Sequence, residues 1–146
     1  TLPTRNYSEA WFEGAEPLSG ETMADTILKK RETCFSCAVR CKRVVEAEYE
    51  GTHIDPYYGG PEYETLGTFG SMCGIQSLEM VSLANQICNA YGVDSITCGA
   101  TIAFAMECFE KGVITTQDTG GIELTFGNEA AVLQILDQIV NVSTPL

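Results

Sequence analysis

Apolar positions recur at helical spacing through the second half of the chain. Leu78, Val81, Ala84, Ile87, Cys88 and Tyr91 form one such stripe, which predicts an amphipathic helix. Ser77 is its N-cap, and Gly92 supplies the left-handed residue that ends it. A second helix starts at Asp94 or Ser95, with Ile96, Ile102, Phe104, Ala105 and Phe109 on its apolar side, and stops at Gly112. Residues 113–127 are rich in glycine and threonine and read as a connector. Asn128 caps a last helix through Val132, Ile135, Leu136, Ile139 and Val140.

The first half is less periodic. Residues 1–17 look irregular, with Tyr7, Trp11 and Phe12 available to dock elsewhere. Ser19 is expected to cap a helix running through Met23, Ile27 and Leu28 toward Lys30. Residues 44–60 alternate poorly and carry His53, Pro56, Gly59 and Gly60. They read as an extended loop, with room for one short hairpin near 44–54. Gly67, Gly70 and Gly74 punctuate an aromatic stretch over 61–75, where glycine permits close backbone approach. The expected class is all-α: one multihelical domain over 1–146 with a cysteine-rich loop.

Composition narrows the function. The 146 residues are 45% hydrophobic, which suits a folded domain rather than a disordered tail. Net charge is −12. That argues against nucleic acid or an anionic membrane as partner, because both need basic surfaces. The longest run without a strongly polar side chain, Ile96 to Met106, is too short to span a bilayer. No basic segment leads into an apolar one as a secretory leader would. The chain opens at Thr1 without methionine, as expected of a processed protein or an internal piece.

Seven cysteines stand out: Cys34, Cys37, Cys41, Cys73, Cys88, Cys98 and Cys108. The number is odd and the chain too large to need disulfide staples. Cys88, Cys98 and Cys108 lie in apolar helical patterns and are expected to be small buried hydrophobes. The stretch CFSCAVRC over 34–41 differs, with C-x2-C-x3-C spacing. Its sulfurs suit zinc or an iron–sulfur cluster, and a redox or plain structural role stays open. A structural zinc site gathers four Cys or His ligands, often as two close pairs. Here a second pair is missing, and His53 has no ligating neighbour. A cubane cluster readily takes three thiolates from one loop and a fourth from far away, so it ranks first. Arg40, Lys42 and Arg43 would favour deprotonated sulfurs, or simply form a solvated face.

Other segments join the triplet: LPTRNY (2–7), LSGE (18–21), GPEYETLG (60–67) and NQICNAYGVDSITCGATIAFAMECFEKG (85–112). In that order they closely resemble the aldehyde ferredoxin oxidoreductase family of tungsten–pterin enzymes, in its central helical domain only. The resemblance implies a 4Fe-4S cluster held by Cys34, Cys37 and Cys41, with the fourth cysteine in another domain. Many relatives have proline where this chain has Ala38, which would stiffen the loop without ligating. The resemblance also implies a glutamate near the tungsten, either Glu62 or Glu64, with Glu64 slightly preferred. Asp94 matches the start of a pterin-contacting motif; it is equally a cap of its own helix. The family's dimer-bridging iron uses an E-x2-H pattern, but Ser82 follows Glu79 at that spacing. A homo-oligomer is neither implied nor excluded.

The implied enzyme oxidises aldehydes to carboxylic acids on a tungsten bis-pterin, with molybdenum as the alternative metal. It passes electrons through the cluster to ferredoxin in the cytoplasm, and this segment alone would be inactive. Its other partners would be the remaining domains of the same enzyme. The competing reading is an isolated, non-catalytic zinc or iron–sulfur module, with Cys73 as a possible fourth internal ligand.

Overall fold

A computed structural model describes residues 2–141. The expected all-α class is corrected. The fold is mixed α/β, mostly helical, with two small antiparallel sheets beside five α-helices.

Helix α1 spans Gly20–Thr26, and Ser19 caps it by accepting from the Thr22 N–H at 3.0 Å. The chain does not stay helical to Lys30. Leu28–Glu32 is strand β1, paired antiparallel with β2, Lys42–Val45. Leu28 faces Val45, and Arg31 faces Arg43. The cysteine stretch therefore sits at the tip of a hairpin rather than beyond a helix. Next comes the short hairpin expected near 44–54, with β3 Ala47–Tyr49 paired to β4 Thr52–Ile54. The Tyr49 hydroxyl donates to Glu129 Oε2 at 2.6 Å, tying β3 to the last helix.

Pro56–Tyr58 form a 3₁₀ turn, and Tyr63–Thr65 the single turn α2. A π turn over Leu66–Gly70 and a 3₁₀ turn over Ser71–Cys73 follow, all buried. Close packing explains two of the expected glycines. A Cβ on Gly70 would sit 2.6 Å from Leu18 Cδ1, and Gly74 holds φ +73 against the backbone of Gly127.

Helices α3 (Leu78–Tyr91), α4 (Ser95–Glu110) and α5 (Glu129–Asn141) follow the predicted spans. Ser77, Asp94 and Asn128 cap them, and Gly92 ends α3 at φ +72. Which residues face inward was harder to foresee. On α4 the buried residues are Cys98, Gly99, Ile102, Ala103 and Met106, whereas Ile96 and Phe104 are exposed. Tyr91 on α3 is exposed too. Helix α4 is apolar nearly all round, so its periodicity selects no unique inner face.

The core gathers Phe69, Met72, Ile75, Met80, Val81, Ile102, Met106, Val132 and Leu136. Of the three N-terminal aromatics only Phe12 joins it; Tyr7 and Trp11 are exposed. Residues 4–9 are nonetheless pinned. Arg5 and Asn6 donate backbone N–H groups to the Ser71 and Met72 carbonyls at 3.0 and 3.1 Å. Side chains of α3 hold the segment after β4: Gln86 accepts from the Asp55 N–H at 2.7 Å, and Asn89 donates to the Tyr58 carbonyl at 2.8 Å.

Candidate functional site

The hairpin tip, residues 33–41, is built of turns and bends with no helix after Cys37. The Cys37 N–H donates to the Cys34 carbonyl at 3.1 Å, closing one turn. Ser36 and Arg40 adopt left-handed φ values of +56 and +55. Cys34 and Cys41 are exposed and Cys37 is half-buried, all as free thiols. Phe35 and Val39, between them, are exposed as well. No core contact fixes the sulfurs, and among the described residues no three His, Cys, Asp or Glu side chains are gathered around one point. The donor chemistry still suits a thiolate-held cluster: three soft sulfurs within eight residues, beside several cations.

Cys73, Cys88 and Cys98 lie in a different environment. All three are buried, while Cys108 is only half-buried. The Cys73 thiol donates to the Thr68 carbonyl at 3.2 Å. Burial pushes it far above the ordinary thiol range, with Cys98 adding to the effect. Cys88 is raised as well, first by its hydrogen bond with Cys98 and then by burial. Cys73 is thus engaged in the core, away from the role of a fourth ligand at the hairpin tip.

Glu62 and Glu64 flank the start of α2, and both are exposed. They differ in what they touch. Glu62 Oε2 accepts from Arg43 Nη1 at 2.9 Å. Glu64 makes no ion pair or side-chain hydrogen bond among the described residues. Arg43 belongs to β2, so its ion pair ties the cysteine hairpin to the GPEYET segment.

The next residue continues the path. Thr65 is buried, and its Oγ1 lies 2.9 Å from Ser95 Oγ at the start of α4. Asp94, immediately before, accepts from the backbone N–H groups of Ile96 at 3.2 Å and Thr97 at 3.1 Å. The Thr97 hydroxyl also donates to it. That hydroxyl first, and the two N–H groups after it, hold the carboxyl below the ordinary aspartate range. Asp94 is therefore an ionised helix cap, as half of the sequence reading expected, and it remains exposed.

The three segments expected to matter thus lie along one bonded path. It runs from the cysteine hairpin through Arg43–Glu62 and Thr65–Ser95 to Asp94. Arg43, Thr65 and Ser95 were not foreseen as links. Their partners lie 19 and 30 residues away in sequence, and no local pattern announces such pairs. The π turn that follows α2 lies close to α4 because Gly99 faces Thr68. A Cβ on Gly99 would lie 2.7 Å from Thr68 Oγ1 and 2.9 Å from its carbonyl carbon.

Comparison with known proteins bears on this arrangement. Residues 1–144 match the family profile described as "Aldehyde ferredoxin oxidoreductase, domains 2 & 3". A tungsten-containing aldehyde ferredoxin oxidoreductase from Pyrococcus abyssi is 39% identical over 82% of this chain and 19% of that protein. The aliphatic sulfonate oxidoreductase, WOR-like subunit, of Pyrococcus furiosus is 29% identical over 94% of this chain and 22% of that protein. The chain spans about a fifth of the length of the curated relatives it matches. Among solved structures, the active-site complex BamBC of benzoyl coenzyme A reductase superposes with a TM-score of 0.65. It is 23% identical and covers 94% of this chain and 20% of that one, which shows a shared fold.

Proposed function

The chain belongs to the aldehyde ferredoxin oxidoreductase family, and on that premise we propose that it is the cluster- and pterin-contacting domain of a tungsten-dependent oxidoreductase. In this reading the whole enzyme oxidises aldehydes to carboxylic acids in the cytoplasm and delivers electrons to ferredoxin. Cys34, Cys37 and Cys41 would hold a 4Fe-4S cluster and Asp94 would contact the pterin; when bound, these groups would supply one-electron and two-electron redox chemistry.

Cys34, Cys37 and Cys41 supply three thiolates from the hairpin tip. Glu64 is assigned as the proton acceptor, because Glu62 is already engaged by Arg43. Asp94 stays charged and accepts N–H groups, first from its own helix start and, on its open side, from a pterin ring. The bonded path from β2 through Glu62 and Thr65 to Asp94 is the observation that carries this reading. It joins the segment proposed for the cluster to the segment proposed for the pterin. Tungsten is favoured over molybdenum by the names of the relatives. No described helix is long and apolar enough to cross a membrane.

Metal analysis of anaerobically prepared protein, beside the full natural polypeptide that carries this chain, tests the proposal. About four iron and four sulfide per full polypeptide, with tungsten, are expected. Replacing Cys37 by serine should remove the iron and sulfide. Glu64→Gln should lower kcat by about a hundredfold or more, and Glu62→Gln, which weakens only the pair with Arg43, by about tenfold or less. Stoichiometric zinc without sulfide would instead leave a structural metal module.

A further inference from the structure

Two buried thiols at the junction of α3 and α4 take no part in the proposed chemistry. Cys88 lies in the last turn of α3 and is wholly enclosed, at 0% exposed. Its carbonyl accepts the N–H groups of Gly92 and Val93, the latter at 2.9 Å, so it anchors the end of that helix. Cys98 lies in the first turn of α4, where its own N–H donates to the Asp94 carbonyl at 3.0 Å. It keeps an open edge, at 5% exposed. The two cysteines thus flank the Gly92–Val93–Asp94 corner, and their side chains meet: the Cys88 thiol donates to the Cys98 sulfur.

That contact makes the two thiols unequal. A donated hydrogen bond favours the charged form of its acceptor. It holds Cys98 below the ordinary thiol range, against the opposing effects of burial and of the Asp94 charge. Cys88 keeps its proton. Cys73, the third buried cysteine of this region, is placed differently. Its thiol donates to the Thr68 carbonyl at 3.2 Å and lies 3.7 Å from the Gly99 carbonyl. Both neighbours are backbone oxygens, which leave it a donor rather than a nucleophile. Packing explains why Cys88 and Cys98 are buried, but not why one thiol is aimed at the other.

We propose that Cys88 and Cys98 form a redox switch: hydrogen peroxide converts them to a disulfide that locks the α3–α4 corner carrying Asp94. The Cys98 thiolate attacks one peroxide oxygen and the O–O bond breaks. Cys98 becomes a sulfenic acid, and the other oxygen leaves as water once it has taken up the proton that Cys98 released. The Cys88 sulfur then attacks the Cys98 sulfur. The S–S bond forms, the S–O bond breaks, and the hydroxyl leaves as water with the proton of the Cys88 thiol. The two thiols lose an electron pair and the peroxide gains it. The sulfurs start in hydrogen-bond contact and need only close to about 2 Å. A thiol reductant reverses the step by exchange. The lock touches the proposed function only through Asp94; the thiol chemistry stands without any cofactor.

The test uses the full natural polypeptide, prepared without oxygen and treated with hydrogen peroxide in small molar excess. Catalase stops the reaction, and the protein is denatured in iodoacetamide and digested for mass spectrometry. A peptide joining Cys88 to Cys98 is expected as the main product among the buried cysteines, with Cys73 recovered alkylated. Dithiothreitol should abolish it. In Cys88→Ser, dimedone should trap Cys98 as the sulfenic acid; if that variant does not fold, the map of the parent protein decides. Amide hydrogen exchange over residues 92–98 should slow by about tenfold or more in the oxidised protein and recover on reduction. Recovery of both Cys88 and Cys98 as alkylated thiols, or equal linkage to Cys73, would overturn the proposal. So would unchanged exchange in protein that carries the linkage. Iron, sulfide and tungsten counted before oxidation keep the two readings apart. A loaded polypeptide that forms no linkage rejects the switch alone. Linkage in a polypeptide that holds neither cluster nor tungsten upholds the switch and rejects the proposed function.

Discussion

The hairpin tip and the α3–α4 crossing each hold three cysteines, and they hold them in opposite ways. At the tip, Cys34, Cys37 and Cys41 share a loop of turns with Phe35 and Val39 in solvent. At the crossing, Cys73, Cys88 and Cys98 are buried beside the π turn, with Cys73 and Cys88 kept as neutral thiols by burial and by hydrogen bonds. One residue type thus serves as a small apolar filler in the core and as an available soft donor at the surface. What separates the two is position relative to the core, not the thiol. Metal chemistry belongs where the sulfur is exposed, and packing where it is buried.

Thiol alkylation gives the widest expected contrast. In metal-free native protein, mass spectrometry should show Cys34, Cys37 and Cys41 modified first and Cys108 more slowly. Cys73, Cys88 and Cys98 should react about a thousandfold more slowly, through opening of the fold. Equal rates at all seven would erase the comparison. Bound metal should protect only the first group.

Packing gives the next contrast. Gly99→Ala gains up to about 1 kcal/mol of helix propensity but drives a methyl into Thr68 side chain and backbone. Overpacking costs about 1–3 kcal/mol and sometimes more, so the net effect is destabilising. Calorimetry should find a lower Tm, at about 2–4 °C per kcal/mol for a chain of this size. Phe35→Ala, at the other region, should leave Tm unchanged. A tip substitution that lowers Tm as far as Gly99→Ala would mean that the loop is structural.

The two regions were not equally legible in the sequence. Helices α3, α4 and α5 were readable because Ser77, Asp94, Asn128 and Gly92 mark their ends by local hydrogen bonding. The β1–β2 hairpin was not. Residues 28–32 read LKKRE, with no alternation, and are held as a strand by partners across a nine-residue loop. Local propensity carried the helix reading past Thr26, and nonlocal pairing overrode it. The cysteine triplet was visible by spacing alone, yet its place at a hairpin tip required the fold. The choice between Glu62 and Glu64 acquired a physical basis only when Arg43 was seen on Glu62.

The smallest expected effect lies at Asp94, the N-cap of α4. Its folded carboxyl sits below the ordinary aspartate range because the Thr97 hydroxyl and the N–H groups of Thr97 and Ile96 favour its charged form. A lowered folded pKa stabilises the fold fully above the unfolded value and loses that contribution as pH falls through the folded one. The window therefore opens below about pH 4. Asp94→Asn keeps a good cap but removes the charge. Its Tm should fall slightly short of the parent's at pH 7, and the gap should close as pH drops through that window. Glu107, lowered by Lys111 and Asn6, titrates in the same acid range in both proteins and cancels in the difference. A gap that persists to the lowest pH would mean that Asp94 acts through cap geometry rather than charge. That outcome would weaken its assignment as an anionic acceptor for a pterin while leaving the cysteine hairpin untouched.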